Sequence, residues 1–449
     1  MRRAFPMTPL YRLLTALSMV VLAPYYALRA WRRGEPRGAL RERFGLLSEA
    51  IRSRVVAGGS HGGAIWIHAV SVGEVLAARP LVEGLAHRFP GRAIFVSTTT
   101  ETGQRLARER LDCASGIFYF PLDWTGAVRR ALAGINPALV IIMETEIWPN
   151  FLRESRRRGV PVVFANARVS ERSFARFERW RFLVDELFAL ALEDATLFLA
   201  QSREDAARLA SMGAPQECIA VTGNLKYDVE PPAIGPLGSW LDSEIRRQER
   251  WPVFVAGSVV AEEEAAVLAA FDIAQRKWRH ALLVLAPRKP DRFDVAAEIS
   301  EQGGWTVARR SRLDLAAPFD DSADILLLDS IGELAGLYSL ADAVFIGGSL
   351  VPSGGHNILE PAWFGRPPVF GESMANFRDM ASQFLAARAG VQVHSGPMLG
   401  KVWVQLIEDA SLRESMGRAA RELADRNRGA TARALDRISA LLAAGDAAS

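Results

Sequence analysis

The sequence predicts an α/β protein built from two doubly wound parallel sheets, on three observations. Short apolar runs of strand length alternate with helical stretches from Ala64 onward. The alternation breaks once, at DVEPPAIGPLGS (228–239), and then resumes. No low-complexity tract interrupts either series. Strands alternating with helices of about ten to fifteen residues imply parallel pairing through helical crossovers.

Ahead of the first strand, Leu13 to Ala30 carries no charge until Arg29, with Arg2 and Arg3 before it and RAWRRGEPRGALRER behind. A spanning helix needs ~20 apolar residues, so this run reads as one signal-anchor, spanning the bilayer or lying in its interface. Tyr25, Tyr26 and Trp31 suit the headgroup layer, and the heavier positive flank keeps the globular part in the cytoplasm. Basic residues follow at once and no small-x-small site precedes a polar start, which argues against a cleaved signal peptide. The formal net charge of +3 fits work beside anionic lipid or an anionic substrate. No basic run is interleaved with aromatics, so nucleic acid is not an expected partner. Cys113 and Cys218 supply neither a metal cluster nor a disulfide framework.

The first series of strands is AIWIHAV (64–70), AIFVS (93–97), GIFYF (116–120), ALVIIM (138–143), PVVFAN (161–166), TLFLA (196–200) and IAVTG (219–223). The second is PVFVAG (252–257), ALLVLAP (281–287), WTVAR (305–309), DILLLD (324–329), DAVFIGG (342–348), PPVFG (367–371) and VQVH (391–394). The expected organisation is an anchor and basic flank (1–40), a first domain (41–230), a linker (231–250) and a second domain (251–449) carrying the C-terminal helices. Two such halves are expected to enclose a ligand cleft.

Ligands of open parallel sheets bind outside the carboxyl ends of the strands, so the strand exits are where chemistry is sought. In HAVSVGEVLAARPLV (68–82), Glu74 stands where a strand gives way to a helix, with Ser71 read as a cap and Gly73 as a tight turn. A carboxylate there is explained by the helix dipole or by a site. METEIWPN (143–150) follows a fully apolar strand with Glu144, Thr145 and Glu146; capping requires only one carboxylate. NARVSERS (166–173) offers Asn166, Arg168, Ser170 and Ser173, either for an anionic sugar or phosphate or as a helix start. In GNLKYD (223–228), Lys226 would face the cleft, or be a solvated charge.

In the second half, Gly257-Ser258 ends a strand, and its amides form an anion site that Glu262, Glu263 and Glu264 would oppose. LAPRKPDRF (285–293) puts Arg288 and Lys289 at a strand exit, and DSIGELAGLY (329–338) offers the Gly332 amide. The loop VFIGGSLVPSGGHNILEP (344–361) is the strongest local signal. Gly347-Gly348 and Gly354-Gly355 let the backbone approach a ligand and aim amides at it. Asn357 and Glu360 follow near a helix start, where a carboxylate can accept from a ribose diol. The same residues also describe a glycine-rich turn with a capped helix. GxxxxGK[ST], HExxH and GxSxG are all missing, which leaves group transfer without a metal as the expected chemistry.

SVGE (71–74), METEIWPN, NARVSERS, GNLKYD, APRKP (286–290), IGEL (331–334) and GGSLVPSGGHNILEP (347–361) together resemble the bacterial 3-deoxy-D-manno-octulosonic acid (Kdo) transferases. The resemblance implies a GT-B fold of two Rossmann-like domains. It further implies inverting transfer of Kdo from CMP-Kdo to the tetra-acylated lipid A precursor in lipopolysaccharide biosynthesis, at the cytoplasmic side of the inner membrane. Carried onto matching positions, Glu74 is the general base, and Glu144 and Lys226 stabilise the transition state. Pro287 and Arg288, Ile331, Gly332 and Glu333, and Asn357, Ile358, Leu359 and Glu360 hold CMP. Two departures stand out: Val259-Val260, where relatives usually carry Thr-His after Gly-Ser, and Ser353, where a basic residue is usual. The alternatives are a GT-B enzyme using another nucleotide sugar, such as a UDP-sugar transferase or epimerase, and a non-catalytic lipid- or nucleotide-binding protein.

Overall fold

The computed structural model describes Tyr11, Thr15, Leu17 and residues 37–58, 63–231 and 233–448. The expected anchor, Leu13 to Ala30, falls almost wholly outside the described residues. Among the described residues, no helix is long and apolar enough to cross a membrane.

Each of the fourteen apolar runs forms a strand. The first unit holds β1 (Ala64–His68), β2 (Ile94–Thr98), β3 (Gly116–Tyr119), β4 (Pro137–Met143), β5 (Val162–Ala167), β6 (Leu197–Ala200) and β7 (Ile219–Val221). They pair in parallel in the order β3-β2-β1-β4-β5-β6-β7. The second unit holds β8 (Val253–Val259), β9 (Leu282–Pro287), β10 (Val307–Arg309), β11 (Ile325–Leu327), β12 (Ala343–Ile346), β13 (Val369–Phe370) and β14 (Val391–Gln392). Their order is β10-β11-β9-β8-β12-β13-β14, again all parallel. The chain reverses its direction of sheet growth between β1 and β4, and again between β8 and β12. Those neighbours open a crevice at their carboxyl ends, because their connections leave in opposite directions.

Both faces of each sheet are covered, which is why the strands read as continuous apolar runs and not as alternating ones. In the first unit, Trp66, Phe95, Val140, Ile142 and Phe164 point to one face. Ile65, Ile67, Val96, Leu139, Ile141 and Val163 point to the other. Helices α1 (Val72–Arg88), α2 (Pro149–Arg157), α3 (Glu171–Glu193), α4 (Gly235–Arg247), α5 (Glu264–Gln275), α6 (Gly396–Glu408), α7 (Ala410–Arg426) and α8 (Ala430–Ala448) supply much of the cover.

Two expected boundaries move. Residues 428–449 group with the first unit and not with the second. The apolar stripe of α8 (Ala430, Ala434, Leu435, Ile438, Leu442) is buried in the same cluster as Val75, Leu81 and Leu225. Leu435 lies against Gly84 so closely that a Cβ there would sit 2.4 Å from it, and Arg88 pairs with Asp436 at 2.7 Å. The supposed linker is mostly α4, a helix of the second unit. Its glycine and proline fall at the helix start, where proline's fixed φ is compatible with the first turn. Leu237 and Leu241 are buried, and Trp240 packs edge-on against Phe319 at 5.8 Å.

Asp228 holds the start of α8, accepting from the amides of Gly429 at 2.6 Å and Thr431 at 2.5 Å. Asp228→Ala is expected to destabilise the protein by about 1 kcal/mol, the usual value of a lost helix cap. Thermal denaturation of the purified variant measures it, and an unchanged midpoint would show that α8 docks without this cap.

Candidate functional site

In the first unit, the polar groups collect where β1 and β4 end. Glu74 occupies the first turn of α1 and is only 8% exposed. Its Oε2 accepts from the Val70 amide at 2.8 Å, and its Oε1 from the Ser71 hydroxyl at 2.9 Å. Ser71 is the N-cap residue, but its hydroxyl serves the carboxylate and caps no amide. Gly73 forms no turn of its own; it lies inside α1. Burial, and secondarily the charge of Glu144, pushes the Glu74 carboxyl up to about 7, against the two hydrogen bonds that favour its ionised form. A glutamate serving only as a helix cap would be exposed and acidic. This one titrates near neutrality.

Glu144 follows β4 in the left-handed region, at φ 56°, so the strand stops at Met143 and the alternation expected for Glu144, Thr145 and Glu146 does not apply. Glu144 Oε1 accepts from Lys226 Nζ at 3.1 Å, both side chains being partly buried. Glu146 is half-buried and is itself raised by burial and by Glu144. Three carboxylates thus share one strand-exit region with one ammonium. Lys226 is placed by Asn166, whose Oδ1 accepts from the Leu225 amide at 2.9 Å across 59 residues. The Lys226 amide is bonded by Asn224 Oδ1 at 3.0 Å.

The main chain of Arg168 and the two serines of NARVSERS serve local structure. The Thr145 hydroxyl donates to the Arg168 carbonyl at 2.5 Å and accepts from the Arg168 amide at 2.9 Å. Ser170 caps α3 through the Ser173 amide at 3.1 Å, and its hydroxyl donates to that of Ser173. The helix-start reading holds for these two serines.

In the second unit the corresponding exits are those of β8 and β12. The glycine loop differs from expectation, because its amides are committed internally. Gly347 donates to the Gly257 carbonyl at 2.8 Å and Gly355 to the Gly348 carbonyl at 2.7 Å. Gly348 donates to Glu263 at 2.6 Å and Gly354 to the Ser373 hydroxyl at 3.0 Å. The glycines are required by packing. A Cβ would meet the Ser258 carbonyl at Gly347, the His356 ring at Gly348, Asn376 at Gly354 and Met374 at Gly355. Glu263 therefore does not repel an anion at this turn. It is the anion.

Pro287 ends β9, and Arg288 next to it is exposed. The Arg288 charge acts on two neighbours, lowering both His356 and Glu360. Burial dominates in each, leaving the His356 imidazole near 4 and the Glu360 carboxyl at about 7. The Asn357 carboxamide reaches Glu360 at 3.4 Å and accepts from the Leu359 amide at 3.1 Å. The Ile358 and Leu359 side chains are fully buried, so only their main chain is available to a ligand. Arg288, His356, Asn357 and Glu360 form one group. The Ile331–Glu333 loop is held separately, by a bidentate Arg310 fork on Glu333 at 3.0–3.2 Å and by the Ser330 hydroxyl. Ile331 is 72% exposed, Gly332 sits at φ 95° and Ser258 at φ 57°. Among the described residues, no group of three or more His, Cys, Asp or Glu side chains is arranged to hold a metal ion.

The family profile "3-Deoxy-D-manno-octulosonic-acid transferase (kdotransferase)" matches residues 38–229. The 3-deoxy-D-manno-octulosonic acid transferase of Haemophilus influenzae is 34% identical over 83% of this chain and 86% of its own. That of Bordetella pertussis is 33% identical over 94% and 97%. The chain belongs to the Kdo transferase family. Anabaena HepE in complex with UDP superposes with a TM-score of 0.56 at 15% identity, covering 85% of this chain and all of that one. The Neisseria meningitidis UDP-GlcNAc 2-epimerase gives 0.52 at 14% identity, over 81% and 98%. Those two likenesses concern the α/β GT-B fold alone.

Reading the Kdo transferase sequence by motif missed Glu263, His356 and Arg310. Glu263 was visible only as one of three glutamates in a row, and nothing in that run distinguishes the buried one. His356 adjoins the Asn357–Glu360 motif, but its ring is committed to packing beneath Gly348. Asn166 is 1% exposed and left-handed at φ 57°, so Asn166→Ala loses both a buried acceptor and a residue tolerant of that conformation. A destabilisation of about 1–3 kcal/mol is expected, read by denaturant titration. A variant as stable as the parent would show that the Lys226 turn stands without it.

Proposed function

We propose that this Kdo transferase uses CMP-Kdo as donor and the tetra-acylated lipid A precursor as acceptor, with Glu74 as general base. The observation that carries the reading is the Glu74 carboxyl at about 7, beside the crevice at the β1 and β4 exits. A base works best when its pKa lies near the operating pH. Glu74 takes the proton of the acceptor hydroxyl as its oxygen attacks the anomeric carbon of Kdo from the face opposite the nucleotide. The bond from that carbon to the phosphate oxygen breaks, and CMP leaves with the electron pair, inverting the centre.

Lys226, fixed by Glu144, supplies positive charge to the anionic donor as negative charge moves toward the leaving phosphate. Glu144 has a second effect, since its charge helps keep Glu74 basic. Pro287 and Arg288, Ile331 to Glu333 and Asn357 to Glu360 hold the nucleotide. Arg288 supplies charge and Glu360 accepts from the ribose diol, with main-chain groups of the buried Ile358 and Leu359 beside them. The relatives named as Kdo transferases favour this donor over a UDP-sugar.

The acceptor is a lipid, and the exposed face of α3 suits a bilayer surface. Trp180, Phe182 and Leu183 are exposed there, with Arg172, Arg176 and Arg179 concentrated in the first half of the same helix, while Arg181 is engaged by Glu178 and Asp185. Such a face matches an anionic leaflet. Together with the segment Leu13 to Ala30, it supports action at the cytoplasmic side of the inner membrane.

Incubating purified protein with CMP-Kdo and the lipid precursor, with products weighed by mass spectrometry, tests donor and acceptor together. Glu74→Gln is expected to retain CMP-Kdo binding and lose turnover by about 10²- to 10⁴-fold; near-normal turnover would exclude the base role. The pH profile makes a separate demand. Only ionised Glu74 accepts a proton, so kcat/KM should rise with pH through an acid limb near 7. Glu144→Gln removes a negative charge that raises Glu74, and the limb should move to lower pH. A limb that stays in place, or moves up, would assign it to another group.

A further inference from the structure

Glu263 is completely buried and is paired with no cation among the described ion pairs. Its carboxylate is neutralised by main-chain donors alone. Oε2 accepts from Gly348 at 2.6 Å and Val260 at 3.1 Å. Oε1 accepts from Leu350 at 2.8 Å and Ser349 at 2.9 Å. Consecutive amides converging on one anion make a nest of the kind that elsewhere receives phosphate. Here the protein fills it with its own side chain.

The four donors lie on two different loops, and each loop leads to a separate part of the nucleotide group. Val260 follows Val259, whose carbonyl accepts from the Arg288 amide at 2.8 Å. Gly348, through its own carbonyl, holds the Gly355 amide at 2.7 Å, and the His356 ring packs against it. The next residues are Asn357 to Glu360. One buried carboxylate therefore sets the height of the β8 exit, onto which the Arg288 amide at the end of β9 is bonded, against that of the β12 exit, which carries the ribose-facing carboxylate.

We propose that Glu263 is a positioning residue for donor binding: its carboxylate locks the β8 and β12 exit loops so that Arg288 and Asn357–Glu360 meet one nucleotide. This rests on the nucleotide assignment made above. Neutral glutamine at 263 keeps one acceptor oxygen and turns an NH2 group toward two amide donors. Aspartate keeps the charge but withdraws it by one methylene.

Steady-state kinetics of Glu263→Gln and Glu263→Asp, with CMP-Kdo and lipid precursor varied in turn, separates the outcomes. The donor KM is expected to rise about tenfold or more, the equivalent of one lost charge-assisted hydrogen bond. The acceptor KM and the kcat at saturating donor should stay within about twofold of the parent, well inside one such bond. A general loss of structure would lower kcat and stability without singling out the donor. If the glutamine variant does not fold, the aspartate variant carries the test. An unchanged donor KM in a folded variant, or equal changes in both KM values, overturns the proposal. The parent is titrated with CMP alongside them. A parent that transfers Kdo while Arg288→Ala and Glu360→Gln leave CMP affinity unchanged would remove the nucleotide assignment itself, a result distinct from failure at Glu263.

Discussion

The arrangement depends on one topological constraint, the reversal of strand order beside β1 and β8. A parallel sheet covered on both faces has no polar surface to spare, so polar chemistry is confined to the strand ends. The reversal keeps two adjacent exits clear of crossing connections in each sheet. Glu74 and Glu144 stand at one such pair, and Ser258 and the glycine loop at the other. Buried and half-buried carboxylates can exist there because the apolar strands behind them fix the backbone and withhold water.

The two units solve opposite electrostatic problems with the same geometry. In the first, carboxylates gather beside one lysine, and burial, helped by the neighbouring negative charges, raises the Glu74 carboxyl to about 7. In the second, a loop rich in converging amides would attract any small anion from solution. Glu263 satisfies those amides permanently, which leaves the proposed recognition of a nucleotide to Arg288 and to the carboxamide and carboxyl of Asn357 and Glu360. The glycine pairs consequently serve close packing between loops.

Much of the fold was legible because buried parallel strands are encoded by local composition. Runs such as ALVIIM and DILLLD admit little else between helical stretches. The positions of Glu74, Glu144 and Lys226 were legible for the same reason, as polar residues at the ends of apolar runs. What the sequence hides is partnership over distance. Nothing near Glu263 announces that it meets amides 85 to 87 residues away. Asn166 reads as a helix-start residue until Leu225 is found on it. The linker was misread because glycine and proline mark helix beginnings as well as breaks, and the destination of α8 depends on which sheet has an uncovered face.

That destination has a bearing on how the protein is made. The ribosome delivers residues 430–448 only after the whole second unit, yet their apolar stripe belongs to the first sheet's core. Until those residues emerge, the groove along α1 where Leu435 will rest stays open to water, however complete the rest of that unit is. The unit synthesised first is thus the one whose core closes last, and a chain cut short anywhere in the second half leaves both units unfinished.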